Sequence, residues 1–305
     1  MALGASTAVL VADLGGTQTR AAVIDGDGTF VSRIARPSPE ADPSALTSTM
    51  REAREASGRE VGGAVVGVPG PVSFAEGRPL RLPNLPLWEG HVSAQAIADD
   101  LQLPVLLAND ADLAALGEHR FGAGRGTSDM VYVTISTGVG AGVILNGRLL
   151  HGRRSLPEIG HTVIDLERGL TLEELGSGTA LERISGLDGA EVTRRAQAGD
   201  PAALAAFGQI THAFAVGVMN LVLCFMPERV VIGGGVSQAG ALVLDPVRAY
   251  LEAQGPSMAI VPEVVRASGG DDVGLLGGLA LWLDHAEGAV DRPPQIEAAR
   301  PRSAG

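Results

Sequence analysis

The chain has 305 residues, of which 45 % are hydrophobic and only 3 % aromatic, and its formal net charge is −12. This length suffices for two domains, and the excess of aliphatic over aromatic residues favours an α/β protein with small-residue helices. Because an acidic surface repels nucleic-acid phosphates and anionic lipid, we expect neither a nucleic acid nor a membrane as a partner.

The single cysteine, Cys224, lies in an apolar run and cannot form an internal disulfide, so the fold needs no oxidising compartment. We interpret it as a small buried hydrophobe in preference to a reactive thiol. The first strand is not preceded by a basic and apolar leader, and no apolar stretch approaches the ~20 residues that a membrane helix needs. We therefore expect a cytoplasmic protein.

In chain order, the first part alternates strands and helices. Strands are predicted at residues 8–12, 21–24, 30–35, 64–68 and 105–108, and helices at 43–57, 92–101 and 111–120. The second part gives strands at 131–136, 141–145, 148–151, 229–232 and 263–267, and helices at 203–226, 241–254 and 273–285. The order strand, Gly/Thr turn, strand, tight turn, strand thus occurs twice, which indicates two similar halves with a cleft between them.

Glycine-rich turns follow the first strand of each half, in Asp13–Arg20 and in Ser136–Gly140. Glycine lets backbone N–H groups approach a phosphate closely, and threonine hydroxyls add donors. Neither turn is a Walker A loop or a dinucleotide fingerprint. Either turn alone is equally well explained as a structural hairpin, but two turns facing one cleft favour a phosphate clamp. Asp13 would then act through Mg²⁺ or its water shell.

Asn109 and Asp110 stand where an apolar strand ends. On position alone, Asp110 fits two roles equally well. It could cap the following helix, or it could be a general base that accepts the proton of a sugar hydroxyl as that hydroxyl attacks a γ-phosphate.

Glu158 and His161 are three residues apart and could both contact vicinal hydroxyls, although such a pair is more often structural. A zinc site is a weaker interpretation still. The only cysteine after His161 is Cys224, so no CxC or CxxC partner exists.

In this order the motifs resemble those of the ROK family (repressors, unassigned frames and kinases). Its members share the two-domain actin/hexokinase-like fold, a duplicated ribonuclease H-like α/β fold with an interdomain cleft. The resemblance extends from Asp13 to about Trp282. The segments that carry it are Asp13–Arg20, Gly67–Val72, Asn84–Trp88, Asn109-Asp110, Ser136–Gly140, Glu158–His161 and Gly233–Val236.

The resemblance implies an ATP- and Mg²⁺-dependent sugar kinase, expected as a homodimer, with Asp110 as catalytic base. The residues that it implies for ATP and phosphate binding are Asp13, Gly15, Gly16, Thr17, Thr137, Gly138, Gly234 and Gly235. The residues that it implies for sugar binding are Gly70, Asn84, Asn109, Glu158, His161 and Glu173.

The chain departs from the family pattern at two places. Gln18 stands where the family often has lysine. Family members usually follow the EIGH motif with three cysteines that hold a structural zinc, whereas residues 165–174 contain no cysteine. We therefore expect no structural zinc, and we expect packing alone to hold Glu158 and His161. The Leu172-Glu173 pair still matches the family motif, so Glu173 keeps its implied sugar contact.

We expect a smaller N-terminal domain at residues 1–112 plus 273–286, a larger domain at 113–272, and a disordered tail at 287–305. The expected reaction is phosphorylation of a hexose hydroxyl, with glucose first. The alternatives are an N-acetylated hexosamine or fructose as substrate, or a non-catalytic sugar sensor derived from a kinase. The charge and the start of the first strand by about Thr7 disfavour a DNA-binding repressor, and the acidic balance disfavours a polyphosphate donor.

Overall fold

The computed structural model describes residues 8–39, 41–73, 75–83, 85–150, 158–254 and 261–287. They divide into two compact units. Within the described chain, unit 1 comprises residues 8–121 and 271–287, and unit 2 comprises residues 122–150 and 158–270. The expected tail lies outside the described residues from position 288 onward.

In the described residues, the strands are β1 (Ala8–Leu14), β2 (Gln18–Ile24), β3 (Phe30–Pro37), β4 (Val61–Val68), β5 (Val72–Ser73), β6 (Arg78–Pro79), β7 (Val105–Asn109), β8 (Met130–Ile135), β9 (Val139–Leu145), β10 (Arg148–Leu149), β11 (Val163–Asp165), β12 (Leu170–Thr171), β13 (Arg229–Gly233) and β14 (Glu263–Arg266). The helices there are α1 (Ser44–Ser57), α2 (Ala94–Leu101), α3 (Asp110–Phe121), α4 (Leu172–Gly176), α5 (Gly178–Ser185), α6 (Gly189–Gln197), α7 (Pro201–Phe225), α8 (Ala241–Gln254) and α9 (Val273–Ala286). Short 3₁₀ turns lie at Pro86–Trp88, Ile159–His161, Gly235–Ala239 and Gly270–Asp272.

Each unit contains a five-stranded sheet of the same topology. The order in unit 1 is β3-β2-β1-β4-β7, and the order in unit 2 is β10-β9-β8-β13-β14. In both sheets the first three strands of the unit form an antiparallel meander, and the last two strands run parallel to the first. The repeat predicted from the sequence is therefore confirmed.

Side chains alternate along β1, so the two faces of this strand contact different parts of unit 1. Leu10 and Ala12 belong to the apolar core that also contains Met50 of α1. Val11 points to the other face, where it contacts Gly278 of α9, and a Cβ at position 278 would overlap its side chain. Since side chains alternate along a strand, Asp13 lies on the α9 face with Val11.

Glycines also let α3 approach α9 closely. A Cβ at Gly277 of α9 would overlap the carbonyl oxygen of Leu113, and one at Gly117 of α3 would overlap the carbonyl oxygen of Val273. This packing places all of α3 in unit 1, up to Phe121. The expected boundary after residue 112 differs from this division, because a helix packed on α9 goes with the sheet that α9 covers.

Helix α7 matches the predicted helix at 203–226 within two residues, but it contradicts the expectation that no apolar stretch approaches the length of a membrane helix. Over an 18-residue window its mean hydropathy is 1.5, so by length and composition it would be able to cross a membrane, but 61 % of that window is buried. Helices α4, α5, α6 and α8 of the same unit pack against it. Its burial is that of a core helix.

Cys224 is exposed, which contradicts its interpretation as a buried hydrophobe. The last turn of α7 directs Leu221 and Val222 into the core and leaves Leu223 and Cys224 outside it. The prediction from the apolar run was therefore wrong, because only one side of this helical turn faces the core.

Candidate active site

In unit 1, three predicted segments meet at one edge of the sheet. Strands β1, β4 and β7 are parallel, so their carboxyl ends lie side by side. Asp13 is paired with Gly67, and Val68 is paired with Asn109. The turn after β1, the loop that contains Gly70 and the start of α3 thus all lie at this edge, which is where open α/β sheets usually bind ligands.

Asn109 caps α3. Its Oδ1 accepts hydrogen bonds from the backbone N–H groups of Ala111 at 2.9 Å and Asp112 at 3.3 Å. Its Nδ2 donates to the carbonyl oxygen of Gly70 at 3.0 Å. One side chain therefore satisfies the helix end and fixes the neighbouring loop.

Asp110 follows as the first residue of α3 and is exposed. Its Oδ1 also accepts the Ala111 N–H, at 2.8 Å. The capping role that the sequence left open for Asp110 is thus mainly filled by Asn109. Asp110 thus presents a carboxylate, a group with about four acceptor positions when ionised, at an exposed helix N-terminus.

Gly70 has a φ of +81°, and a Cβ there would lie 2.8 Å from the carbonyl oxygen of Arg81. A side chain is therefore excluded at this position for two independent reasons. Asn84, which follows in the same region of the sequence, lies outside the described residues.

The turn after β1 is tight. The N–H of Gly15 donates to the carbonyl oxygen of Gln18 at 3.0 Å, and a Cβ on Gly15 would lie 2.8 Å from that same oxygen. Thr17 is exposed, and its carbonyl oxygen accepts the N–H of Ser38 at 3.0 Å. Gly16, between them, is half-buried.

The carboxylate of Asp13 lies close to Arg20 of β2 and Gly274 of α9. Its Oδ2 is 3.7 Å from Nη2 of Arg20, and a Cβ on Gly274 would lie 3.7 Å from its Cγ. Burial raises the pKa of Asp13, and the positive charge of Arg20 acts in the opposite direction.

Asp13 fits a Mg²⁺ ion that would be bound mainly through nucleotide phosphates and water. Such ions take one or two protein carboxylates, and Asp13 supplies one whose charge is disfavoured by burial, so that a cation would offset the cost. The described chain contains no group of three or more His, Cys, Asp or Glu side chains that could hold a metal by themselves.

In unit 2, the turn after β8 is fixed by neighbouring backbone. The N–H of Gly178 donates to Ser136 O at 2.6 Å, and the hydroxyl of Thr179 donates to Thr137 O at 2.8 Å. Thr137 is exposed, and Gly138 closes the turn by accepting the N–H of Ser136 at 2.9 Å. The start of α5 therefore holds this turn in place.

Gly234 and Gly235 follow β13, whose carboxyl end lies beside that of β8. Gly234 has a φ of +85°, and a Cβ there would overlap the carbonyl oxygen of Ile135. Its own carbonyl oxygen accepts the hydroxyl of Ser237 at 2.7 Å. A Cβ on Gly235, by contrast, would meet no heavy atom within 4 Å. Of Gly234 and Gly235, therefore, the close approach of the two strand ends requires glycine only at 234.

Glu173 connects the phosphate turn of unit 2 with the Glu158–His161 segment. Its Oε2 accepts the backbone N–H of Val139 at 2.9 Å. A Cβ on Gly138 would overlap that oxygen, and one on Gly160 would lie 3.3 Å from it. Only a sugar contact was predicted for Glu173, and the glycines at 138 and 160, which leave room for its carboxylate, are the sequence signal for this second role.

Glu158 and His161 are both exposed, with Oε2 and Nε2 3.8 Å apart. The expectation that packing alone holds this region is wrong. Hydrogen bonds also hold its backbone: within this region the Thr162 hydroxyl donates to Ile159 O at 2.7 Å, and the N–H of Leu172, the first residue after the β11–β12 hairpin, donates to Thr162 O at 2.8 Å. A reciprocal capping box between Thr171 and Glu174 then starts α4.

Each unit thus brings part of the predicted set together. In unit 1 these residues are Asp13, Gly15, Gly16, Thr17, Gly70, Asn109 and Asp110. In unit 2 they are Thr137, Gly138, Glu158, His161, Glu173, Gly234 and Gly235.

Comparison with known proteins identifies the family. The ROK family model matches residues 9–285. A glucokinase from Halalkalibacterium halodurans is 31 % identical over an alignment of 309 residues, which covers 89 % of this chain and 93 % of that protein.

Solved structures agree. The ROK hexokinase from Thermus thermophilus has a TM-score of 0.76 and 32 % identity, with coverage of 92 % of this chain and 100 % of that one. A ROK family glucokinase from Streptomyces griseus, solved in complex with glucose and AMPPNP, has a TM-score of 0.75 and 28 % identity, with coverage of 90 % and 98 %. The chain therefore belongs to the ROK family and has its two-domain actin/hexokinase-like fold.

Proposed function

We propose that this sugar kinase transfers the γ-phosphoryl group of ATP to a hydroxyl of a hexose, with glucose as the first candidate and Asp110 as the general base. Glucokinase relatives, one of them solved with glucose and AMPPNP, support the substrate classes. The observation that carries the role of Asp110 is its exposure at the carboxyl edge of the unit 1 sheet, beside an Asn109 that already caps the helix.

In this proposal, Asp110 accepts the proton of the attacking sugar hydroxyl. Phosphoryl transfer depends mostly on positioning and charge neutralisation, and the base orients the hydroxyl toward the phosphorus. Asn109 positions the base by fixing the first turn of α3 to the loop of Gly70. That connection limits how far the base can move relative to a sugar bound at the same loop.

The nucleotide phosphates would bind at the two glycine turns, because backbone donors suit phosphate oxygens. The residues proposed here are Asp13, Gly15, Gly16, Thr17, Thr137, Gly138, Gly234 and Gly235. Mg²⁺, when bound, neutralises phosphate charge. Asp13 is the carboxylate proposed to face it, directly or through water.

The sugar hydroxyls would be bound by the amides, carboxylates and imidazole of the second set. These residues are Gly70, Asn84, Asn109, Glu158, His161 and Glu173. Glu173 can serve both the Val139 N–H and a hydroxyl, since an ionised carboxylate has about four acceptor positions.

We further propose that the enzyme is a homodimer, as the family resemblance implies, and that it is located in the cytoplasm, where ATP is available. The net charge of −12 supports the absence of nucleic-acid and membrane partners.

The test is ADP release, measured by a coupled assay, across a panel of glucose, N-acetylmannosamine, N-acetylglucosamine and fructose. We expect the highest kcat/KM for glucose. A higher value for another panel sugar would replace glucose but keep the reaction class. Tight sugar binding by calorimetry with no ADP release at any ATP concentration would instead identify a sensor.

A further inference from the structure

Arg20 is placed directly opposite Asp13 in the sheet of unit 1. The two residues are register partners on the antiparallel strands β2 and β1, so their side chains leave the same face. Nη2 of Arg20 lies 3.7 Å from Oδ2 of Asp13. A cationic side chain thus accompanies the carboxylate that adjoins the first glycine turn.

The same guanidinium makes a second contact, to the turn before α9. Nη1 donates to the carbonyl oxygen of Asp271 at 2.5 Å. Asp271 lies in the 3₁₀ turn Gly270–Asp272, and a Cβ on Gly274 of the following helix would lie 3.7 Å from Cγ of Asp13. Arg20 therefore contacts both the Asp13 carboxylate on β1 and the turn that precedes α9.

We propose that Arg20 is a positioning residue for nucleotide binding, which acts by bridging the Asp13 carboxylate and the Asp271 carbonyl. The inference rests on the proposed function, because it requires Asp13 to face the Mg·ATP phosphates. Its physical basis is the shape of the group. A planar guanidinium has five donors and reaches two acceptors at once, whereas a lysine ammonium is a point charge on a flexible stem.

Loss of this bridge has two consequences at Asp13. The carboxylate loses the positive charge that partly offsets its burial, and the turn before α9 loses a hydrogen bond that holds it beside the carboxylate. Both changes act on the nucleotide side of the proposed site. Neither changes the contacts of Asn109 with Gly70 at the proposed sugar side.

Arg33 on β3 supplies a matched control. Its Nη2 pairs with Oδ2 of Asp272 at 2.9 Å, so it holds the same turn. Strand β3 is separated from β1 by β2, and the guanidinium of Arg33 stacks 4.2 Å over the ring of Phe30. Arg33→Met therefore removes an arginine from the turn without removing the partner of Asp13.

The experiment measures binding of Mg·ADP and of the best panel sugar by calorimetry on the full chain and on Arg20→Met, Arg20→Lys and Arg33→Met. We expect Arg20→Met to weaken Mg·ADP binding by about tenfold or more and sugar binding by less than about twofold, because the lost bridge lies on the nucleotide side. Arg20→Lys should recover part of the loss, and Arg33→Met should bind Mg·ADP within about threefold of wild type.

Other outcomes overturn the inference. Arg20→Met that binds Mg·ADP like wild type, or equal losses in Arg20→Met and Arg33→Met, would contradict it while leaving the kinase proposal intact. If Arg20→Met does not fold, as judged by thermal unfolding, Arg20→Lys decides: wild-type Mg·ADP affinity overturns the inference, and a loss confined to the nucleotide supports it. A wild-type chain that binds no Mg·ADP or Mg·ATP contradicts the proposed function itself.

Discussion

The amide of Asn109 donates to the carbonyl oxygen of Gly70 across 3.0 Å, while its oxygen caps α3. The hydrogen bond joins the last residue of β7 to the loop that follows the adjacent parallel strand β4. The residue next to the cap, Asp110, therefore starts its helix at a position tied to that loop. This relationship allows the roles of the cap and of the proposed base to be separated experimentally.

Asn109→Asp keeps an acceptor at the cap and removes the donor to Gly70. A carboxylate is as good a cap as an amide, but the lost bond to Gly70 and the repulsion of its carbonyl should lower the unfolding free energy by about 1–3 kcal/mol. Turnover should fall, because the carboxylate repels the Gly70 carbonyl and releases that loop. Urea denaturation and steady-state kinetics check the two effects separately. Unchanged kinetics would show that the bond to Gly70 has no part in the reaction.

Asp110→Asn tests the base itself. We expect kcat to fall by roughly 10²–10⁴, the usual contribution of a positioned base, with little change in stability, because the amide oxygen can still accept the Ala111 N–H. The measurement is ADP release with the best panel sugar. Asp99→Asn, at an exposed α2 position that accepts from Gln95 at 2.8 Å, is the control and should match wild type. Turnover of Asp110→Asn within tenfold of wild type would rule out the proposed role.

Hydrophobic patterning and turn chemistry predicted the two five-stranded sheets, but not the two-stranded sheets β5-β6 and β11-β12. Strand β4 and strand β13 are continuous apolar runs, and the Asn146-Gly147 turn marks the hairpin between β9 and β10. Helices α4, α5 and α6 were not predicted, although their N-caps Thr171, Ser177 and Asp188 are residues typical of helix starts. At 5, 8 and 9 residues, these helices are shorter than the roughly 11–18 residues over which helical periodicity is recognised.

The site was predictable as a set of segments but not as a set of contacts. Asn109 and Asp110 are both good N-cap residues, and only geometry shows that the first fills this role. Arg20 follows the first glycine turn, yet its partner across the sheet depends on register. The contact of Glu173 with Val139 joins residues 34 positions apart in the chain. Such pairings are set by tertiary packing and leave no local pattern.

Glu173→Ala and Glu173→Gln distinguish charge from hydrogen bonding at the second turn. Alanine leaves the partly buried Val139 N–H without its acceptor and should lower the unfolding free energy by about 1–3 kcal/mol. Glutamine supplies an amide oxygen in the same place, so we expect most of that stability to return. Urea denaturation gives both values. Equal losses in the two variants would mean that the carboxylate charge, and not the acceptor, holds the turn.

Gly277→Ala tests the contact between α3 and α9. Its Cβ would overlap the backbone carbonyl oxygen of Leu113, which cannot move without shifting α3, so we expect destabilisation of about 1–3 kcal/mol or more. The control is Gly208→Ala in α7, where a Cβ meets nothing within 4 Å. Alanine there should stabilise by up to about 1 kcal/mol, since it favours the helix. Thermal unfolding of the two variants should therefore shift in opposite directions.

Asp284→Asn makes the stability of unit 1 respond differently to pH. Burial raises the pKa of Asp284 above its usual value, Glu287 adds to the increase, and Arg120 and His119 oppose it. The folded state thus binds a proton at pH values where the unfolded chain has released it, so this group stabilises the fold at low pH and loses that contribution as pH rises through the folded-state pKa.

Asparagine resembles the protonated side chain and does not titrate. We therefore expect Asp284→Asn to be at least as stable as wild type at pH 7, with the difference shrinking as pH falls toward the ordinary carboxyl range, because only wild type then gains the proton. Urea denaturation of both proteins between pH 4 and pH 7 gives the difference directly and cancels all other titrating groups. If wild type instead loses stability relative to the variant on acidification, the ion pair with Arg120 outweighs burial, and the pKa of Asp284 is lowered.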